Sequence, residues 1–299
     1  MFSIIISSSL HCIINLNLSS NSMKLLSQFT ILFVLLCSTA YAQDRMFAFT
    51  YQSNVLNKGG FDLEFQNELL SGKKGAYSPY AFGQNLNQRL EFEFGLGHNV
   101  QTSFYLNSEL FNYADTSMSE LAQELKISFS NEWKWKLADP VANSIGFALY
   151  EEIEVGGNNF ESETKLIADK RWGNDLVAFN AVAVYEIERE VALEDGKLEM
   201  EWEQSYPMEF DLAYMHFFTP QFGLGVEMVN NNEMNKEDGW MNSVLYGGLS
   251  MHAQTGRFFA NLSALPQLSN LHKTDFAPGN MDLDGGQKLS TRLIIGYSF

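Results

Sequence analysis

Charged and apolar residues take turns along most of this chain, and the clearest case is residues 124–135, which read ELKISFSNEWKW. Even-numbered positions there carry charged or hydroxyl side chains, and nearly all odd-numbered positions carry Leu, Ile, Phe or Trp. Successive side chains of a β-strand point to opposite faces, whereas the 3.6-residue period of a helix would spread this pattern around its axis. Such a segment is therefore predicted to be a strand with one polar and one apolar face.

The same alternation recurs along the chain and predicts an all-β fold of about twelve strands. A further segment, 46–53 (MFAFTYQS), is interpreted as part of an N-terminal extension, residues 43–59, because bacterial single-chain barrels have even strand numbers. The predicted strands are 60–70, 86–97, 100–113, 120–137, 144–155, 160–172, 175–190, 198–218, 221–231, 242–254, 257–266 and 288–299.

Short and long connections alternate between these strands. Tight turns on one side and longer loops on the other are typical of outer-membrane barrels, whose periplasmic turns are short. The short connections are 97–99, 138–144, 173–174, 219–220 and 255–256, and the longer ones are 71–85, 114–119, 156–159, 191–197, 232–241 and 267–287.

The last eight residues, RLIIGYSF, place Leu293, Ile295, Tyr297 and Phe299 on one face of a strand. This ending resembles the C-terminal signature of bacterial outer-membrane β-barrels, which ends in Phe with apolar residues at alternate positions. The resemblance implies a porin-like or transporter-like, transmembrane antiparallel up-and-down β-barrel over residues 60–299. Because lipid offers no hydrogen-bond partners to the backbone, the last strand of such a barrel must pair with the first.

Residues 1–42 are predicted to be a presequence that is cleaved during export to the outer membrane of a Gram-negative bacterium. Met23-Lys24, an apolar run over 29–36 and Ala40-Tyr41-Ala42 together have the form of a signal peptide and its cleavage site. Residues 1–22 are interpreted as lying upstream of the true start, with an extended signal as the alternative. Cys12 and Cys37 both fall in the presequence, so the mature chain has no thiol for a disulfide, a metal site or a nucleophile.

Charged side chains should face the inside of such a barrel, because Lys or Arg on the lipid side costs about 2–4 kcal/mol at mid-depth. The lumen is therefore predicted to hold either a cation-preferring conduit or a structural network of ion pairs. The predicted lumen-lining residues are Glu64, Arg89, Glu91, Glu93, Lys126, Glu163, Lys165, Glu209, Asp211, Glu227 and Arg292.

Two weaker candidates for chemistry remain. Glutamates flank the loop near 191–197 on both sides, and like charges on paired strands repel. A divalent cation bound between them would relieve this repulsion. The alternative is that these acids are solvated, with Arg189 and Lys197 offsetting part of their charge. The candidate ligands are Glu186, Glu188, Glu199 and Glu201. A lipid hydrolase would need Ser, His and Asn on the outer wall, and Ser250 with His252 is the nearest candidate pair.

The sequence thus favours a channel or passive transporter for small solutes, with outer-membrane lipid as its partner, no cofactor and no enzymatic activity. A net charge of −17 argues against nucleic acid as a partner, because phosphate binding needs clustered cations. The first alternative is a structural or adhesive barrel with its lumen filled by ion pairs, and the second is the hydrolase. The solute and the oligomeric state are left open.

Overall fold

The computed structural model describes residues 45–72, 84–115, 120–194, 197–275 and 277–299. Thirteen strands within these ranges form one antiparallel sheet. In the described part of the chain, no helix is long and apolar enough to cross a membrane. The strands are β1 (Phe61–Ser71), β2 (Gln84–Gly97), β3 (Val100–Asp115), β4 (Glu120–Ala138), β5 (Gly146–Gly156), β6 (Asn159–Trp172), β7 (Asp175–Glu194), β8 (Lys197–Ser205), β9 (Met208–Thr219), β10 (Phe222–Asn235), β11 (Gly239–Thr255), β12 (Phe258–Asn270) and β13 (Leu289–Ser298).

The sheet closes on itself. β1 pairs with β2 on one side and with β13 on the other, where Phe65 lies opposite Ile295. β8 and β9 share one position in the ring, because both pair with β7, one after the other along its length. The predicted barrel of about twelve strands is therefore confirmed, and the structure divides the predicted strand 198–218 at Tyr206-Pro207. Proline has no backbone N–H to give to a ladder, which accounts for a break at this point.

The wall has an apolar outer face and a largely polar inner face. On β4 the outward residues Leu125 and Phe129 are 60 % and 64 % exposed, whereas the inward Glu132 is fully buried. At the end of β13, Ile294 is buried while Ile295 and Phe299 are exposed. These features are those of a transmembrane barrel, in which lipid surrounds the outer face.

The two ends of the barrel differ. Tight turns connect the strands at the end where β13 finishes, and at one of them His98 and Asn99 adopt positive φ values of 54° and 62°. At the other end, the segment 282–287 of the long connection folds inward. There the backbone N–H of Gln287 bonds to the Tyr246 hydroxyl, and Asp282, predicted to lie in a long outer loop, is buried against Gln267.

Candidate functional site

Residues 45–57, which we call the plug segment, lie inside the barrel. Every residue from Phe47 to Ser53 is buried, with exposures between 0 % and 9 %. The plug segment joins no strand of the described sheet. The predicted N-terminal extension thus contributes its first part to the interior, a position that the strand count alone did not reveal.

Side chains of five strands distributed around the ring hold the plug segment, so that it follows the inner wall. The anchors lie nearer the tight-turn end of their strands, which places the plug segment in that half of the lumen. Each anchor bonds to the backbone of the plug segment: Gln101 on β3 to Leu56, Asp169 on β6 to Ser53, Asn180 on β7 to Tyr51, Glu227 on β10 to residues 48–50, and Asn261 on β12 to Arg45.

Glu227 makes the densest of these contacts. Its fully buried carboxylate accepts the backbone N–H groups of residues 48–50 at 3.2, 2.9 and 2.9 Å. The hydroxyls of Ser250 and Ser263 donate to the same carboxylate. Successive backbone N–H groups that converge in this way form a concave site for an anion, here filled by a side chain of the wall.

Three aromatic side chains of the plug segment enter apolar pockets between the anchors. Burial of one such side chain contributes about 1.5–3 kcal/mol, so the pockets and the hydrogen bonds stabilise the same position. Phe47 packs with Leu176, Ala178, Ala213, Met215 and Phe217; Phe49 with Val229, Val244, Tyr246, Phe259, Leu265 and Ile294; and Tyr51 with Ala148, Tyr150 and Ile167.

Cations surround the Tyr51 ring. The guanidinium carbon of Arg45 lies 3.8 Å from the ring centre, and the ammonium nitrogens of Lys165 and Lys134 lie at 4.5 and 5.6 Å. A desolvated cation over an aromatic face is attracted by the ring quadrupole. Tyr51 therefore couples the plug segment to two lysines of the wall.

A network of acids, tyrosines and arginine extends from the plug segment along the wall of β2–β5. The Tyr105 hydroxyl donates to Glu91 at 2.6 Å and also contacts Glu132. Arg89 pairs with Glu152 and covers the Tyr105 ring at 4.2 Å. Arg89 and the Tyr105 hydroxyl thus pair with three carboxylates of the network, whereas one buried oxygen of Glu132 has no hydrogen-bond partner among the described residues.

The structure places the eleven predicted lumen-lining residues on inward-facing positions of their strands. Lys126 pairs with Glu188 at 2.8 Å, Lys165 with Glu163 at 2.8 Å, and Arg292 with Glu68 at 2.7 Å. The full set is Glu64, Arg89, Glu91, Glu93, Lys126, Glu163, Lys165, Glu209, Asp211, Glu227 and Arg292. Of these, Glu227 and Arg292 contact the plug segment through hydrogen bonds, the latter to the carbonyl oxygen of Ala48.

Sequence reasoning missed four of the five anchors: Gln101, Asp169, Asn180 and Asn261. A signal was present at Asn180, a lone amide in the otherwise apolar stretch VAFNAVAV. A buried amide needs hydrogen-bond partners, and here they are the N–H and C=O of Tyr51 at 2.7 and 3.0 Å.

A cavity of about 310 Å³ opens at the end opposite the tight turns. Its lining is rich in glutamate, and Lys126 crosses it to Glu188, which also accepts the side-chain N–H of Asn158 at 2.9 Å. The charged residues of the lining are Glu109, Glu124, Lys126, Glu154, Glu161, Glu186 and Glu188.

The predicted metal ligands lie partly at this cavity. Glu188 is opposite Glu203 in the β7–β8 register and Glu201 is opposite Glu190, while Glu186 accepts a hydrogen bond from Ser205 at 3.1 Å. The side chain of Glu199 lies outside the described residues. Among the residues described, no group of three or more His, Cys, Asp or Glu is arranged to hold a metal ion.

Ser250 and His252 face the interior and are buried. Ser250 donates to Glu227, and the His252 Nδ1 lies 2.7 Å from the Asn261 side-chain oxygen. Both side chains belong to the wall around the plug segment, so neither is placed on the lipid-facing side where a lipid substrate would approach.

Comparisons with known proteins agree with this fold. A family model described as a family of unknown function, DUF6662, matches residues 39–299. No curated protein has a significantly similar sequence.

Solved structures with this architecture include two outer-membrane barrels. The COG4313 outer membrane channel from Pseudomonas putida F1 has a TM-score of 0.54 at 10 % identity, covering 83 % of this chain and 98 % of that one. The translocator domain of the autotransporter NalP from Neisseria meningitidis has a TM-score of 0.54 at 10 % identity, covering 93 % and 98 %. At this identity, the similarity establishes a shared fold of the outer-membrane class.

Proposed function

We propose that this chain, which belongs to the DUF6662 family of unknown function, is an outer-membrane channel for small cationic solutes that its own plug segment closes. Residues 1–42 would be removed on export, so that the mature chain begins at Gln43, just before the plug segment.

The attachment of the plug segment carries the proposal. Its backbone is held by side chains of the wall, and it contributes no strand to the ladder that closes the barrel. Its departure would therefore leave every strand pair of the barrel intact. An element that fills a lumen without belonging to the wall fits a gate better than a structural core.

The charge of the inward-facing groups supports cations as the solute. Glutamates dominate the 310 Å³ cavity, which would be the entrance from outside. Two of the five anchors, Asp169 and Glu227, would face the open lumen after the plug segment leaves. Rings of carboxylates favour cations over anions in narrow pores.

A second candidate function is a permanently closed barrel whose outer loops interact with other molecules. The burial of seven consecutive residues, 47–53, in the lumen favours it. The two candidates differ in one respect: only the channel predicts conductance once the plug segment is displaced.

Planar-bilayer recordings test the proposal. The mature protein should show infrequent openings, and a variant lacking residues 43–53 should show steady ohmic steps with a reversal potential set by cations. Circular dichroism of the variant must retain the strand signal of the full chain.

Glu227→Gln provides a second variant that keeps the whole chain, and it should open more often than wild type. A correctly folded deletion variant that stays silent, together with a silent Glu227→Gln, would contradict the channel and support the closed barrel. Anion preference in the deletion variant would contradict the proposed solute class.

A further inference from the structure

The carboxyl group of Glu151 lies on the lipid-facing side of the wall, far from the strand ends. β5 has 11 residues, and Glu151 is its central residue. A strand of about 9–11 residues spans the hydrocarbon, so Glu151 lies near the bilayer mid-plane. Its outward neighbours along the strand are Leu149 and Ile153, which are 36 % and 46 % exposed, whereas the adjacent Glu152 is buried inside.

Glu151 is the centre of a small polar cluster on the outer face. Its two carboxyl oxygens accept the hydroxyls of Ser162 at 2.7 Å and Thr164 at 2.6 Å, both on β6. On the other side, β4 presents Asn131, whose side-chain oxygen accepts the indole N–H of Trp133 at 2.8 Å. We call Asn131, Glu151, Ser162 and Thr164 the outer polar cluster.

A polar cluster at this depth is costly if only lipid surrounds it. Ionisable residues inside membranes almost always face protein or water, since hydrocarbon offers them no hydrogen-bond partner. The hydroxyls of Ser162 and Thr164 satisfy Glu151 from one side only. The outward side of the cluster therefore calls for a polar partner within the membrane.

We propose that the outer wall formed by β4–β7 is the contact surface between two copies of this chain, related by a two-fold axis that passes near Glu151. In such a contact each copy presents the same patch to the other. Near such an axis, the polar side chains of the outer polar cluster of one copy meet those of the other, so each cluster supplies the polar surroundings that lipid lacks.

Two further observations favour a second copy with this symmetry. Among the described residues, the outward-facing cations on the same wall are Lys170 and Arg189, and they lie towards opposite ends of the barrel. Neither is at the depth of Glu151 in the membrane, so a second copy in the same orientation would not place a cation against Glu151. The outward residues of β7 beside Thr164 are Ala181 and Ala183. Small side chains permit close approach of two walls in lipid.

Cysteine cross-linking in outer membranes tests the contact. The mature chain has no cysteine, so Thr164→Cys adds a single thiol beside the proposed axis. Thr291→Cys is the matched control, because Thr291 faces outward on β13, on the opposite side of the ring. Oxidation should give a two-copy product with Thr164→Cys and none with Thr291→Cys.

The mass of the detergent particle provides the second readout. Glu151→Leu, which suits a lipid-facing position, should halve the protein mass per particle in sedimentation experiments, whereas Glu154→Gln on the inner face of the same strand should leave it unchanged. Equal cross-linking of both cysteine variants would overturn the proposal. A wild-type detergent particle that contains one copy would also overturn it. The same holds if the Thr164→Cys variant forms cross-links only to a different protein.

Discussion

The substitution Glu227→Gln should release the plug segment while leaving the barrel folded. The carboxylate accepts three backbone N–H groups, at 3.2, 2.9 and 2.9 Å. Hydrogen bonds to a charged group contribute roughly 1.5–3 kcal/mol and neutral ones roughly 0.5–1.5 kcal/mol. The amide of Gln has one acceptor oxygen and an NH2 donor in place of the second, so it cannot accept from Ala48 at one position and from Phe49 and Thr50 at the other. The loss of at least one bond and the weakening of the rest should cost about 3 kcal/mol in total.

Hydrogen exchange measured by mass spectrometry on the protein in detergent is the assay. A loss of about 3 kcal/mol corresponds to about a hundredfold faster exchange of the amides of residues 48–50. Strand amides of β10 should keep their protection, because the ladder with β9 and β11 is unaffected. Glu109→Gln is the matched control, since Glu109 also faces inward but lines the cavity at the other end.

Unchanged exchange of residues 48–50 in Glu227→Gln would refute the reasoning, because the apolar pockets alone would then hold the plug segment. Faster exchange throughout the barrel would also refute it, since the effect would then be a general loss of stability.

Two more predictions concern the tight-turn end. The backbone N–H groups of Ala142 and Val141 bond to Asp139 and lower the pKa of its carboxyl. This contribution to turn stability is present above the usual aspartate pKa and is lost as pH falls through the lowered value. The protection factor of the turn amides, which compares their exchange rate with that of an unstructured peptide at the same pH, should therefore fall on acidification in wild type and stay constant over that range in Asp139→Asn. A side chain at Gly95 would place its Cβ 2.0 Å from the carbonyl oxygen of Asn57, so Gly95→Val should displace the entry of the plug segment and raise exchange over 54–57, and unchanged protection there would contradict this close contact.

The strand pattern carried most of the fold. Eleven of the twelve predicted strands each match one observed strand within a few residues, and the predicted strand 198–218 covers two, β8 and β9. The match is good because alternation is local and each residue on a strand is assigned to a face by its neighbours alone. The division at Pro207 was readable in principle, since proline interrupts a ladder wherever it falls inside a sheet. The same parity rule could have found Glu151: two adjacent glutamates in the middle of a spanning strand cannot both face the lumen.

The sequence by itself determined most of the wall: about twelve strands, their order, and the inward face of the charged ladders. Only the tertiary structure decided what fills the lumen. The contacts of the plug segment join residues that are distant in sequence, such as Phe49 and Glu227, which are 178 positions apart. The local sequence around an inward-facing carboxylate is the same whether that carboxylate contacts water, a lysine or three backbone N–H groups. That choice depends on which groups the closed barrel brings together, and no local pattern records it.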